Sequence, residues 1–180
     1  MQFLEKIKKS IFSLIILILF IISFSVFKYA LQKEKIYSPK MGDNNIFTDF
    51  RVQTLVEEKT INFEKFLSGK NFYLINIWSW WCEPCRDESD KLLELKNDST
   101  MMMIGINYKD KKKNALNFLK LYGNPFEEIF VDKQGTISIN FGAYGVPETF
   151  LINNDNKVLK KYIGPLNDED VYEIKNIANN

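Results

Sequence analysis

The sequence predicts an α/β domain, a mixed central sheet sandwiched by helices, preceded by one N-terminal transmembrane helix. Three observations carry that expectation. An apolar run occupies residues 11–27, strand-like and helix-like stretches alternate beyond it, and a Cys-x-x-Cys pair stands where a strand gives way to a helix.

Composition narrows the chemistry before any element is placed. The 180 residues suffice for one ordinary domain plus an extension. The charge is nearly balanced, 24 basic against 23 acidic residues, without the concentrated basic excess of a nucleic-acid binder, so no nucleic-acid partner is expected. Histidine is absent and cysteine occurs twice. Those counts exclude Ser-His-Asp and Cys-His catalysis, HExxH zinc sites and His-ligated haem. Two thiols alone also fall short of a closed tetrahedral zinc site, so no metal and no cofactor are expected. Catalysis is left to Cys, carboxylates, Lys or Tyr.

In chain order, residues 1–10 read as a cytoplasmic N-terminus. Residues 11–27 (IFSLIILILFIISFSVF) follow as a helix of roughly 25 Å, close to the thickness of a bilayer core. Lys6, Lys8 and Lys9 before the run favour that orientation, although Lys28, Lys33 and Lys35 after it weaken the asymmetry. A cleaved signal peptide is the competing reading; the run is longer than a usual h-region, which favours a retained signal anchor. Both readings export the rest of the chain, to where thiol–disulfide traffic is normal. Residues 28–45, polar and containing Pro39 and Gly42, read as a tether. Residues 46–180 are the exported domain.

Within it, Phe50, Val52 and Thr54 alternate with Arg51 and Gln53 as in a half-buried strand, and Asn62 caps a short helix. Phe72 to Trp78 (FYLINIW) is a strand covered on both faces. Pro84 suits the first turn of a helix that continues to about Lys96 and buries Leu92, Leu93 and Leu95. Met101 to Asn107 is a strand, its methionine run core rather than copper-binding. Asp110 is the expected N-cap of a helix presenting Ala115, Leu116, Leu119 and Tyr122, ended by Gly123 and Pro125. Glu128 to Val131 forms a short strand. Thr149–Ile152 and Lys157–Ile163 flank the turn Asn153-Asn154-Asp155-Asn156, and Asn167 caps the last helix, from Asp168 to about Ala178. Strands separated by helices pair in parallel, and the hairpin adds antiparallel pairing.

Cys82 and Cys85 are the candidate reactive groups. First-turn N–H groups point at Cys82 and favour its thiolate, which attacks a partner disulfide; Cys85, one turn on, resolves the mixed disulfide. A purely structural disulfide over so short a loop restrains the unfolded chain little. A metal half-site shared with a partner is the other alternative.

Four stretches then narrow the family: Asn76-Ile77-Trp78-Ser79-Trp80-Trp81-Cys82-Glu83-Pro84-Cys85-Arg86, Gly105 to Asp110 (GINYKD), Gly123-Asn124-Pro125, and Gly142 to Phe150 (GAYGVPETF). The first resembles the active-site strand and loop of the thioredoxin superfamily. Together they resemble the CcmG/DsbE thiol:disulfide interchange proteins of c-type cytochrome maturation, from about Ile46 onward. The resemblance implies a thioredoxin-like three-layer sandwich on the periplasmic side of a bacterial inner membrane, single-pass. It also implies a protein-disulfide reductase acting on the haem-binding cysteines of apocytochrome c, or on a maturation thiol partner, and re-reduced by a membrane thiol-electron donor. Cys82 is then the attacking thiol and Cys85 the resolving one. Val146-Pro147, an ordinary turn or a cis-proline step on the residues alone, becomes the cis step that exposes Val146 to an incoming peptide.

Asn76 stands where thioredoxin has a buried aspartate, and the resemblance assigns proton transfer instead to Glu88 and Glu148. On the residues alone these two read as surface or structural carboxylates. A carboxylate near the pair would take the proton from Cys85 and make the couple more reducing. Glu83 departs from the family and adds negative charge beside Cys82. Trp81 is the expected apolar rim for substrate, Trp80 the one that packs, and Arg86 steers acidic partners or is solvated. A general thiol oxidant or isomerase, or a copper(I) carrier, are the alternative functions; relatives of the latter kind use a distal histidine, which this chain lacks.

Overall fold

The computed structural model describes residues 2–32, 50–67 and 69–179, which fall into two compact units divided between Pro39 and Lys40. The first is helix α1, Gln2–Gln32, of which Ser10–Lys28 is long and apolar enough to cross a membrane. Its described apolar side chains from Ile11 to Phe27 are exposed, as a lipid-facing helix requires. The helix continues through Gln32, into the stretch expected as tether; residues 33–45 of that tether lie outside the described residues.

The second unit runs β1 (Arg51–Thr54), β2 (Thr60–Asn62), α2 (Phe63–Phe66), β3 (Phe72–Trp78), α3 (Glu83–Asp87), α4 (Ser89–Lys96), β4 (Met101–Tyr108), α5 (Lys112–Tyr122), β5 (Glu128–Asp132), α6 (Thr136–Asn140), β6 (Glu148–Asn153), β7 (Val158–Ile163) and α7 (Asp168–Ala178). One mixed sheet results, in the order β2-β1-β5-β4-β3-β6-β7. β3, β4 and β5 are parallel, while β1, β6 and β7 pair antiparallel to their neighbours.

The pleat sends successive side chains of β3 to opposite faces. Leu74 and Trp78 enter a core with Leu92 and Leu95 of α4, Ala115 and Phe118 of α5, and Val171 and Ile174 of α7. Tyr73, Ile75 and Ile77 enter a second core with Phe63 of α2 and Ile137 and Phe141 of the α6 region. β3 therefore buries both faces, which is why it reads as a continuous apolar run. Both parallel crossovers, β3–α4–β4 and β4–α5–β5, pack their helices on the first of these cores, as right-handed connections moving in one direction must.

Several local expectations hold. Asn62 Oδ1 accepts from Lys65 N at the start of α2, and Asn167 forms a capping box with Asp170 at the start of α7. Others are corrected by tertiary contacts. The helix after Pro84 breaks at Glu88 into α3 and α4, because the Glu88 side chain is drawn inward; Leu93 is only half-buried. Asp110 does not cap α5, whose N-cap is Lys111 without a side-chain bond, since the aspartate is taken by the active-site loop. The buried face of α5 is Ala115 and Phe118, and Leu116 points outward.

β2 and α6 have no clear signal in the sequence. Residues 136–140 (TISIN) alternate like a strand, yet they follow Gly135, at φ +82°, and their first turn is anchored on buried Asp132. That carboxylate accepts from Ile137 N, Ser138 N and Ser138 Oγ. Fixed N–H partners outweigh a weak local propensity.

Candidate active site

The site lies where β3 ends. Trp78 is the last strand residue, and Ser79–Trp81 lead into α3, with Cys82 at its N-cap. Cys82 and Cys85 form a disulfide, sulfurs 1.97 Å apart, and Cys82 Sγ accepts from Cys85 N at 3.1 Å. Both cysteines are buried, 3% and 2% exposed, whereas Trp81, Glu83 and Pro84 around them are exposed. Trp81 and Pro84 thus form the exposed apolar rim beside the buried disulfide.

The loop entering the site is held from the side. Asp110 Oδ2 accepts from Trp80 N at 2.8 Å and from Asn107 Nδ2 at 3.3 Å. Arg86, half-buried, donates from Nη2 to Trp80 O at 3.3 Å and lies over the Trp80 ring. It braces the loop instead of standing free in solvent. Trp80 packs against the core, while Trp81 is 53% exposed and donates from its indole to Lys109 O at 3.4 Å. No local pattern in the sequence indicates that Asp110 serves Trp80, because helix α4 and strand β4 of the β3–α4–β4 crossover lie between them.

Glu88 is fully buried one helical turn beyond Cys85. Its Oε1 accepts from Asn76 Nδ2 at 2.8 Å and its Oε2 from Leu166 N at 3.0 Å. Burial is the larger influence and pushes the carboxyl up to about 7; the bonds from Leu166 and Asn76 pull the other way. Asn76 also donates to Thr149 Oγ1 at 2.9 Å, so the polar residue inside β3 has two acceptors. Leaving that N–H₂ group unpartnered would cost roughly 1–3 kcal/mol. Thr149 and Leu166 were not singled out from sequence; both reach Glu88 through long-range packing.

The structure separates the two carboxylates. Glu148 opens β6 opposite Ile77, with its side chain on the face of Ile77 and Phe150, whereas Asn76 and Glu88 lie on the other face. Its Oε1 accepts from Tyr144 N at 2.7 Å and Gly145 N at 2.9 Å, and Lys161 Nζ lies 2.7 Å from Oε2. Just before it, Val146–Pro147 is a cis peptide. Val146 packs against the core that contains Cys82 and Cys85, and Pro147 is buried. Cys82, Cys85, Glu88, Trp81 and the Val146–Pro147 segment thus gather at one end of the sheet, while Glu148 faces away from the sulfurs. Among the described residues no cluster of three or more Cys, Asp or Glu is placed to hold a metal ion.

The family described as Redoxin matches residues 41–179, most of the chain. The chain belongs to the Redoxin family. Among curated relatives of this Redoxin protein, thiol:disulfide interchange protein CycY of Rhizobium leguminosarum bv. viciae is 45% identical over 51% of this chain and 50% of its own. Thiol:disulfide interchange protein DsbE of Pasteurella multocida is 38% identical over 64% of this chain and 63% of its own. The matched segment thus spans half to under two thirds of these relatives' lengths. In solved structures the fold recurs in MTB DsbF, with TM-score 0.64, 19% identity, and coverage of 73% of this chain and 96% of that one. The fold of the Redoxin unit is therefore thioredoxin-like, as the sequence implied.

Proposed function

We propose that the protein is a thiol:disulfide oxidoreductase that works as a reductant. The observation that carries this reading is the Cys82–Cys85 disulfide at a helix start with buried Glu88 one turn beyond it. In the reduced enzyme, Cys82 thiolate attacks one sulfur of a partner disulfide; a mixed disulfide forms and one partner thiolate leaves. Glu88 carboxylate takes the Cys85 proton, and the Cys85 thiolate attacks Cys82 Sγ, releasing the second partner thiolate. Two electrons pass from the dithiol to the partner, whose thiolates gain two protons in all. A carboxyl held near 7 is matched to that transfer at neutral pH. The same negative charge, with Glu83, disfavours the enzyme's thiolates and makes the couple more reducing.

The partner disulfide is that of apocytochrome c haem-binding cysteines, or of a maturation thiol partner. The motif resemblance supports this choice, and the names of the CycY and DsbE relatives, thiol:disulfide interchange proteins, support the exchange chemistry. Trp81 and the Val146–Pro147 segment seat the partner, since they are the apolar elements beside the sulfurs. Residues 11–27 hold the chain in the inner membrane with the domain in the periplasm, where a membrane thiol-electron donor re-reduces Cys82–Cys85; the exposed apolar helix supports the anchor.

Trapping tests the reading. With Cys85→Ala in cells, Cys82 is expected to stay disulfide-linked to apocytochrome c or to a cytochrome maturation thiol protein. Recovery of only unrelated envelope proteins would reject the cytochrome role, and recovery of no mixed disulfide would reject thiol exchange.

A further inference from the structure

The loop between α6 and β6 is tied by one ammonium group that no motif in the sequence marks. Lys161 Nζ, on β7, donates to Gly142 O at 2.8 Å, where the loop begins, and lies 2.7 Å from Glu148 Oε2, where it ends. Glu148 Oε1 pins the middle through Tyr144 N and Gly145 N. The ammonium also sits 4.3 Å from the Tyr144 ring centroid and 5.3 Å from that of Phe150. The side chains are 14% and 2% exposed, so this is a desolvated ion pair. Such pairs contribute little net stability against an apolar replacement, and what they fix is conformation.

What this pair fixes is the height of Val146 and Pro147 at the end of the sheet. Because Glu148 pairs with Ile77, the residues before it run on past the end of β3, alongside the segment that leads to Cys82. Gly164 N, just after β7, donates to Pro147 O at 3.0 Å and holds the segment a second time. None of these contacts touches the sulfurs.

We infer that Lys161, acting through Glu148, is a positioning residue: it sets the Val146–Pro147 segment against which a polypeptide disulfide is aligned for attack by Cys82. This deepens the thiol-exchange reading and rests on it. Glu148 then serves as the carboxylate of this brace, on the face of the sheet away from Cys85. A small aromatic disulfide needs no alignment along the segment and bypasses the brace, whereas a peptide disulfide depends on it.

The test compares the reduced full-length protein with its Lys161→Met and Lys161→Arg variants in detergent. The substrates are a disulfide-bonded CxxC peptide and 5,5′-dithiobis(2-nitrobenzoate), each mixed in excess with the reduced protein. KM and kcat are then the half-saturating concentration and the limiting rate of a single turnover, and the dithiol–disulfide equilibrium with glutathione is measured in parallel. Lys161→Met is expected to raise KM for the peptide about tenfold, the effect of one charge-assisted hydrogen bond, with kcat little changed. Its rate with the small disulfide and its glutathione equilibrium are expected to match wild type, and Lys161→Arg is expected to restore most of the peptide KM. Should Lys161→Met not fold, Glu148→Gln, which keeps an acceptor for the loop amides and drops the charge, is expected to show the same rise in peptide KM. An unchanged peptide KM, or an equal loss with both substrates, overturns the positioning role while leaving thiol exchange standing. A wild-type protein inert toward both disulfides overturns thiol exchange itself, and the positioning role with it.

Discussion

Replacing Glu88 by Gln isolates a buried carboxyl one turn beyond Cys85. Its carboxyl stands at about 7 against an ordinary 4.5, with burial as the main cause. A carboxyl whose folded value is raised favours the folded state while protonated. That contribution is complete below pH 4.5 and is lost as pH rises through about 7. At about 1.4 kcal/mol per pH unit between the two values, the loss is about 3 kcal/mol. Glu58, Asp98 and Glu173 are held in the opposite direction, so their linkage falls at more acid pH and leaves the interval from pH 5 to 8 to Glu88.

The Gln variant is neutral throughout, but its amide N–H₂ must face either Asn76 Nδ2 or Leu166 N, both donors. That mismatch costs about 1 kcal/mol. The oxidised variant is therefore expected to be about 1 kcal/mol less stable than wild type at pH 4.5 and about 2 kcal/mol more stable at pH 8. Urea titrations followed by tryptophan fluorescence read this directly, because Trp78, Trp80 and Trp81 all lie in the same unit as Glu88. Wild-type stability that is flat or rising from pH 5 to 8, or a variant displaced equally at both ends, would refute the raised carboxyl and with it the proton acceptor assigned to Cys85.

Two further substitutions probe the frame around the site. Asp110→Ala removes the acceptor of Trp80 N and is expected to lower stability by about 1–2 kcal/mol, with Asp110→Asn intermediate; denaturation midpoints check the order. Gly105→Ala would set a Cβ 2.9 Å from Phe126 Cδ2 and 2.9 Å from Trp78 Nε1, so overpacking beneath the disulfide is expected to cost about 1–3 kcal/mol in the same assay.

Much of this protein is written locally. The apolar run of α1, the doubly covered strand β3, the Asn167 cap and the Cys82–Cys85 spacing each depend on residues a few positions apart, and the sequence determined them by itself. Missing histidine did the same for the chemistry by elimination. What only the tertiary structure decided is which polar groups meet. Glu88 and Glu148 read alike in the sequence, as surface or structural carboxylates. Yet the pairing of Ile77 with Glu148 puts Glu148 on one face of the sheet, while the packing of the crossover helices puts Glu88 on the other, against Asn76. Since the strand pleat has period two, a one-residue change of register would have exchanged the face of Glu148. Asp110 likewise left its own helix for Trp80, and Lys161 reached the loop from the neighbouring strand. Spacing along the chain sets the sulfurs; strand register and helix packing, both long-range properties, set the charges around them.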